Sequence, residues 1–475
     1  MQGEPSDATV RVRQFGAYAA LVVCVYVGVS GITTVYSQLS TLYRVFDDPA
    51  RIGWVVSAYF LVSAVAAAIC GRVGDLLGRR RITLAVLPIA GDGALISATS
   101  ATLGGVITGC AIQGVAGALT PLAIWIARET FAAEKVPLAV GGITATSVAG
   151  GGLSFVVAGI VIDRHSWNGA FYMKAVLAAI GMGLVLTLLR PVHRPRADHP
   201  KVNIAAGLLF APAIAGFFIA NQLAQSRGWH DAGVSVILAA SAALMIFWAK
   251  HQAGEDFPLI DVRMLVTRQI ALTNLCFVFL CLGTMQNGQI VSLLLQQPVW
   301  THTGFGMAAA ASGVMMVAQL SVAVVAAPAG GTLTARRGAR EVAMYGFGCG
   351  IVGWFAIAAF HHSLGFFLAM CMLGSVCVSI TQTAAYNLVI EATPEDRTSE
   401  AIGLCVVVIS IFMAIGSQIV TALLTAFRFH DASHGIDAFP ADGAYTVVFG
   451  YVALMSLFGL MTAFALRRNH RAVGT

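Results

Sequence analysis

Stretches of about 20 apolar residues recur along almost all of this 475-residue chain. A helix of about that length crosses the hydrocarbon core of a bilayer. Fourteen such stretches stand between charged or turn-rich breaks, and they predict an all-α polytopic membrane protein with fourteen spanning helices. The predicted spans lie near residues 15–37, 53–71, 82–102, 103–127, 138–162, 169–189, 202–223, 232–249, 270–297, 307–332, 343–360, 364–388, 402–427 and 444–466.

The composition excludes two other classes of protein. Hydrophobic residues make up 58% of the chain and charged residues only 11%, whereas soluble proteins carry about 25% charged residues. A soluble enzyme and a disordered chain are therefore excluded. The sequence has no P-loop and no H-E-x-x-H pattern, so we expect no enzyme activity, cofactor or metal site. The pair His361 and His362 is expected in an outer loop without acidic or cysteine companions.

The basic residues set the predicted orientation. Placing the N-terminus inside puts most of the 28 lysines and arginines in the inner loops and tails, as the positive-inside rule requires. Both termini are therefore predicted to be cytoplasmic. The net charge of +6 is scattered over short loops at the membrane surface, so we expect a lipid bilayer as partner and no nucleic acid.

Two inner loops repeat along the chain. The loop GRVGDLLGRRR at 71–81 matches GTLTARRGAR at 331–340, with glycines offset by 260 residues. The loops at 134–141 and 396–403 match at an offset of 262 residues. Such repeats are typical of transporters built from two similar halves. They predict an N-terminal tail (1–14), a six-helix bundle (15–189), a basic linker with two extra helices (190–269), a second six-helix bundle (270–466) and a C-terminal tail (467–475).

The segment 71–81 resembles motif A of the major facilitator superfamily. Together with the fourteen spans, WVVSAY at 54–59 and FPLIDVR at 257–263 are similar to its fourteen-helix drug:proton antiporter branch. The resemblance implies a monomeric transporter of the bacterial inner membrane. It would export a small amphipathic compound, such as a drug, toxin or secondary metabolite, by alternating access and proton antiport. Two alternatives stay open: an importer or uniporter without antiport, and a non-transporting receptor or scaffold.

Motif A predicts a conformational latch at the inner face. Glycines let helix ends approach closely, and Asp75 is placed to accept hydrogen bonds from a neighbouring helix N-terminus and to pair with arginine. The alternative is a basic loop that only sets orientation. The second copy has Ala335 in place of the acid, so the latch is one-sided. The latch residues are Gly71, Asp75, Gly78, Arg79 and Arg80.

Three departures from the family pattern affect proton coupling. Motif B in the fourth span keeps Gln113 and Gly114 but has Cys110 in place of its arginine. The antiporter motif of the fifth span has Ser154 and Phe155 where its signature is expected, and the first span reads GIT at 31–33 in place of an acidic motif. These departures weaken the prediction of proton antiport and favour the uniporter alternative.

Two charged residues fall within the predicted spans. Asp92, between two glycines of the third span, is the acid nearest the middle of a span. An intramembrane acid is costly and often functional, so Asp92 is the candidate proton site. The alternative is a hydrogen-bonded core residue. Lys174, near the outer interface, is predicted to snorkel towards the headgroups.

Uncharged polar side chains in the spans outline a candidate substrate cavity at the midplane between the two halves. The alternative for each is a hydrogen bond between helices. An apolar pocket with few polar groups suits an amphipathic small molecule. The candidate residues are Tyr59, Gln113, Gln286, Asn287, Gln289, Gln382 and Tyr386.

Overall fold

The computed structural model describes residues 7–46, 48–132, 135–189, 209–228, 230–255, 262–393, 398–427 and 439–466. Within these ranges, thirteen helices are long and apolar enough to cross a membrane by length and composition. A shorter apolar segment, Phe210–Ala220, lies where the seventh span is predicted, and the first part of that span is outside the described residues. The prediction of an all-helical multi-pass protein is confirmed.

The N-terminal bundle begins with α1 and ends with α7. A break separates the third and fourth spans, as predicted. The next helix begins after Thr102, whose side chain caps that helix by accepting a hydrogen bond from the Gly105 amide at 3.2 Å. The helices are α1 (Asp7–Phe46), α2 (Pro49–Leu77), α3 (Arg79–Thr99), α4 (Leu103–Gln113), α5 (Leu119–Thr130), α6 (Val136–Arg164) and α7 (Trp167–Leu188).

Two extra helices, α8 (Phe210–Arg227) and α9 (Ala232–Gly254), pack on each other. One face of α8 lies against α2, where Phe218 packs edge to face on Trp54 at 5.6 Å, and against the helix Thr398–Ala426 of the C-terminal bundle. The C-terminal bundle follows. Its helices are α10 (Arg268–Leu282), α11 (Asn287–Gln296), α12 (Ala309–Arg337), α13 (Ala339–Ala359), α14 (Leu364–Ala392), α15 (Thr398–Ala426) and α16 (Asp442–Ala465).

The two bundles share one structural detail at the repeated loops. Gly78 joins α2 to α3 with φ 93°, and Gly338 joins α12 to α13 with φ 88°. Glycine adopts such angles without steric cost. Two residues further on, Arg80 donates to the Leu189 carbonyl at 2.6 Å, and Arg340 donates to the Phe464 carbonyl at 2.8 Å. Each arginine thus caps the C-terminal end of the last helix of its own bundle by hydrogen bonding to its free carbonyls.

The apolar core is divided between the outer and inner halves of the protein, with the outer side taken from the charge distribution. One cluster in the outer half contains residues of both bundles, among them Tyr36, Leu39, Val55, Ile290, Leu294 and Val420. In the inner half, Leu21, Val86 and Leu119 belong to a cluster of the first bundle, and Leu280, Val342 and Leu388 to a cluster of the second. A further cluster joins Ala64 of α2 to the extra helices and to Leu404 of the C-terminal bundle. The cluster in the outer half packs the two bundles together on the outer side, which is an outer-closed arrangement.

Backbone contact between α6 and α12 holds this outer side together. A Cβ atom at Gly313 would lie 2.6 Å from the Phe155 carbonyl oxygen, and one at Gly159 would lie 2.5 Å from the Ala309 carbonyl carbon. Larger residues cannot occupy these positions without separating the helices. Glycine is therefore required at the closed seam.

Candidate functional site

Two spans are broken near their middle. A 3₁₀ turn at Gly114–Ala118 separates α4 from α5, and another at Thr284–Gln286 separates α10 from α11. Interrupted helices in transporters surround the binding site, because they leave backbone groups free for ligands. The first break lies beside Gln113 and the second contains Gln286, so both breaks fall at predicted cavity residues.

Lys174 lies inside the N-terminal bundle. It is 6% exposed, its Nζ donates to the Gly31 carbonyl at 3.0 Å, and the ammonium group lies 5.2 Å from the centre of the Phe171 ring. The prediction that Lys174 snorkels to the outer interface is wrong. The physical reason is the packing of α7 on α1 and α3, which turns this side chain into the bundle. No carboxylate among the described residues pairs with it.

A small cavity of about 10 Å³ adjoins the lysine. Its polar lining comes from Ser30, Gly31, Gln113 and Lys174, and the remainder is apolar. This volume is at the lower limit for holding one water molecule, and a polar lining is what such a water needs. The cavity can therefore hold about one water molecule beside Lys174.

Gln113 lines this cavity, and the Tyr59 hydroxyl lies next to Gly31, another lining residue. The Gln113 amide donates to Ser97 Oγ at 3.0 Å and to the Gly93 carbonyl at 3.3 Å, while its Oε1 is buried without a partner. The Tyr59 hydroxyl donates to the Gly28 carbonyl at 2.9 Å. Both predicted cavity residues are thus placed in the N-terminal bundle, close to Lys174.

The Cys110 thiol lies 3.9 Å from the side-chain nitrogen of Gln113, which lines the same cavity as Lys174. Position 110 is where the resemblance places the motif B arginine. A cation therefore occupies this region of the bundle, although it comes from the sixth span and not from the fourth. No sequence motif marks Lys174, and its one signal is a charge within an apolar run.

The glutamines of the C-terminal bundle make hydrogen bonds between helices. Gln286 donates to the Cys281 carbonyl at 2.7 Å and to the Met413 carbonyl at 3.1 Å. Gln289 donates to Thr421 Oγ1 at 3.0 Å and accepts from Ser417 Oγ at 2.7 Å. For both residues, these bonds agree with the alternative that the side chain joins helices and does not bind a ligand.

The other three predicted cavity residues are only half-buried. Asn287 follows the break in the ninth span, and its Oδ1 has no hydrogen-bond partner. Gln382 and Tyr386 lie one turn apart on α14, with the Tyr386 ring 5.0 Å from the centre of the Phe277 ring. Of these residues, Asn287 keeps a free acceptor for a ligand.

Asp92 faces outward. Its side chain is exposed, whereas Gly91 and Gly93 are buried, and a Cβ at Gly93 would lie 2.8 Å from the Gln113 backbone nitrogen. The expected burial of Asp92 is wrong, because the close approach of α4 to Gly93 turns the intervening residue away from the bundle. Asp92 is therefore not part of the cavity beside Lys174.

The described residues of motif A bind within their own bundle. Arg79 forms an ion pair with Glu129 at the end of α5 and lies 4.5 Å from the Trp125 ring centre. Arg80 closes the end of α7, as described above. The side chain of Asp75 and the surroundings of Gly71 lie outside the described residues, so the conformational latch at the inner face stays a prediction.

The outer side carries a contact that the sequence did not reveal. The carboxylate of Asp163, near the end of α6, accepts from the Ala309 amide at 3.1 Å and from the Ala310 amide at 2.9 Å. These amides begin α12 of the other bundle, where a negative charge is favoured by the helix dipole. Asp163 therefore joins the two bundles at their outer ends.

A second outer contact joins α1 to α11. Ser292 Oγ donates to the Tyr36 carbonyl at 2.8 Å, and Ser40 and Arg44 both donate to the Gln296 carbonyl, at 3.3 and 3.4 Å. Backbone carbonyls serve as acceptors in all three bonds. A sequence pattern cannot identify such contacts, because any residue supplies a carbonyl.

Comparison with known sequences gives one family. The sequence model described as Major Facilitator Superfamily matches residues 19–320 and 275–474. The uncharacterized MFS-type transporter YvkA of Bacillus subtilis is 24% identical over 397 residues, which cover 82% of this chain and 86% of that protein. The methyl viologen resistance protein SmvA of Salmonella typhimurium is 24% identical over 354 residues, covering 73% of this chain and 70% of that protein.

Solved structures share the fold. A mutant of the nucleoside transporter NupG superposes with a TM-score of 0.68 at 14% identity, covering 96% of this chain and 100% of that one. The xylose transporter XylE from E. coli, in a partially occluded inward-open conformation, gives a TM-score of 0.61 at 11% identity, covering 98% and 100%. At such identities the likeness concerns the fold alone.

Proposed function

Because this chain belongs to the major facilitator superfamily of secondary transporters, we propose that it exports a small amphipathic organic compound by proton antiport. The bundles rock about the region between the two broken spans. In the outer-closed arrangement the compound enters from the inner side, because the outer cluster shared by the two bundles blocks the other side. Opening then requires the outer contacts at Asp163 and at the α6–α12 seam to break.

The buried ammonium of Lys174 is the observation that supports proton coupling. A charged side chain inside a membrane bundle is costly and marks function. Its three donors meet one carbonyl, that of Gly31, and the face of the Phe171 ring. The cost of the charge is relieved when the ammonium releases its proton or when an anionic group approaches. Lys174 therefore takes the role for which Asp92 was expected.

The charge of Lys174 also favours a class of substrate. It is the one buried lysine, arginine, aspartate or glutamate among the residues whose burial the structure describes. A cationic drug needs a negative partner in the cavity, whereas a neutral or anionic compound does not. We therefore place the substrate among neutral or anionic amphipathic molecules, in contrast to the methyl viologen that gives SmvA its name.

Transport into everted vesicles tests the proposal. A panel of neutral, anionic and cationic amphipathic compounds is offered with and without an uncoupler. We expect concentrative uptake of neutral or anionic members, and we expect the uncoupler to abolish it. Lys174→Gln should lose concentrative uptake but keep exchange of labelled for unlabelled compound. Uptake that resists the uncoupler would instead support a uniporter, which the missing acid of the first span favours.

Moving the charge is a sharper test of the same residue. Lys174→Ala removes the cation, and the double variant Cys110→Arg with Lys174→Ala returns a cation to the neighbouring position. We expect the double variant to recover part of the concentrative uptake that the single variant loses. Full concentrative uptake by Lys174→Ala would contradict the role of a buried cation. So would a double variant that is present at the wild-type amount of protein but takes up no more compound than Lys174→Ala.

We place this transporter in the bacterial inner membrane as a monomer. The inner loops carry the excess of basic residues, as for proteins inserted from the cytoplasm. The relatives YvkA and SmvA both come from bacteria. Fusion of reporters to the two termini tests the orientation, and both reporters should lie on the cytoplasmic side.

A further inference from the structure

Three side chains that could bind a metal ion meet at the outer end of the C-terminal bundle. His361 and His362 lie in the turn between α13 and α14, and Asp442 is the first residue of α16. One ligand atom from each lies within 4.8 Å of the others. The expectation that the histidine pair has no acidic companion is wrong, because the fold brings in a residue about 80 positions away in the sequence.

The hydrogen bonds of His361 leave one ring nitrogen in an unusual position. Its Nδ1 lies 3.2 Å from the Ile357 carbonyl, which can only accept, so Nδ1 carries the hydrogen. Its Nε2 lies 2.8 Å from Asp442 Oδ1. In the neutral ring, the Nε2 lone pair therefore faces a carboxylate oxygen. Both atoms can therefore act as ligands to a single cation.

The geometry points to a binding site for a divalent transition metal ion, with Zn²⁺ as the best match, formed by His361, His362 and Asp442. Imidazole nitrogen and carboxylate oxygen are normal zinc ligands at about 2.0–2.2 Å, so tetrahedral ligand atoms lie about 3.3 Å apart. The 2.8 Å and 4.0 Å separations of the two histidines from Asp442 Oδ1 bracket that value. Three protein ligands leave a fourth position for water.

The surroundings of His361 favour a ligand role. The side chain is buried, and its ring packs against Phe449 at 5.3 Å between centroids. Zinc-binding histidines typically donate their second ring hydrogen to a carbonyl, which fixes the tautomer. The Ile357 carbonyl accepts that hydrogen here. The ligand nitrogen is thus oriented before any ion binds.

The position of the site determines what the ion would do. All three ligands belong to the C-terminal bundle, so the ion ties the α13–α14 turn to the start of α16 and does not join the two bundles. A bound ion stabilises the folded state in proportion to its occupancy. We therefore expect Zn²⁺ to raise the thermal stability of the protein without holding the outer side closed.

The test uses the full-length protein in detergent, treated with a chelator and then titrated with ZnCl₂. Calorimetry measures binding, and Co²⁺ absorption in the visible range reports tetrahedral coordination. We expect one zinc per chain and a higher Tm. His362→Ala, at an exposed position, and Asp442→Asn should each weaken zinc binding at least about tenfold. Loss of a residue that only orients a metal ligand already costs about that much affinity. His165→Ala, at another exposed outer histidine, is the matched control and should bind as the wild type does.

Two results would overturn the site. The wild type could show no zinc binding at micromolar concentrations, in which case His361 and Asp442 form an ion pair only. Alternatively, the double variant His362→Ala with Asp442→Asn could bind zinc as tightly as the wild type. Neither result concerns transport, so the proposed function is tested separately.

Discussion

Removal of the negative charge at Asp163 should weaken the closed outer side. In Asp163→Asn the side chain keeps one oxygen acceptor but loses the charge that faces the N-terminus of α12. Of its two hydrogen bonds, the one to Ala309 is partly buried and the one to Ala310 is exposed. A charged group at an exposed helix N-terminus contributes about 0.3–1 kcal/mol. Because a bond is weakened as well, we expect a loss of about 1 kcal/mol.

This loss translates into a measurable change of population. About 1 kcal/mol changes an equilibrium about fivefold, in favour of the state in which the outer ends are apart. Spin labels at two exposed outer positions, His165→Cys in the N-terminal bundle and Phe360→Cys in the C-terminal bundle, report this state as a longer distance. The native cysteines are replaced first, because this chain carries nine.

Asp231→Asn is the matched control. Asp231 also caps a helix, since its Oδ1 accepts from the Val234 amide at 3.2 Å, but that helix, α9, is not part of either bundle. We expect the control to leave the distance distribution unchanged. An Asp163→Asn distribution identical to that of the control would refute the inference that this carboxylate holds the outer side closed.

Three further predictions concern the same contacts. Gly313→Val should prevent outer closure and abolish transport into vesicles, because its Cβ would lie 2.6 Å from a carbonyl oxygen. The control Gly348→Val, with open space around the Cβ position, should transport normally in the same assay. Gln289→Leu should cost about 1–3 kcal/mol, because the buried Ser417 hydroxyl loses its acceptor while Thr421 Oγ1 keeps only its bond to the Ser417 carbonyl. Thermal unfolding measures this loss, and the apparent KM should stay unchanged. Arg340→Ala should lower the unfolding free energy by about 1 kcal/mol through a lost helix-end contact, and an unchanged Tm would contradict the capping role.

The fold was predictable from the sequence because the membrane imposes it. Apolar run length sets each span, and the break before Thr102 was visible as a polar, glycine-containing stretch. The loops with Gly78 and Gly338 repeat in the sequence, and their shared backbone angles follow from the same residue type. The breaks at Gly114–Ala118 and Thr284–Gln286 were not predicted, because apolar run length does not register a change in helical hydrogen bonding.

The candidate site was predictable only in part. Gln113 and Tyr59 were found as polar residues in spans, but the direction of a side chain is set by which helices pack against its face. Asp92 points outward because of the close contact at Gly93, and Lys174 points inward because α7 packs on α1 and α3. Burial of a charge within an apolar run cannot be inferred from the run itself.

Contacts between distant residues were also missed. Asp163 binds backbone amides of α12, and Asp442 meets His361 across the bundle. Neither acid belongs to a motif, and each acquires its partner only through the fold. The sequence offered no spacing rule for either pair.

Proton movement on addition of substrate tests the central claim most directly. Everted vesicles are acidified by respiration, and a pH-sensitive dye inside them is followed while a transported neutral or anionic compound is added. Antiport predicts that the compound causes protons to leave vesicles with the wild-type protein, and that vesicles with equal amounts of Lys174→Gln show no such change. Proton release that is the same for both proteins would contradict coupling through Lys174, and its absence in the wild type would contradict antiport itself.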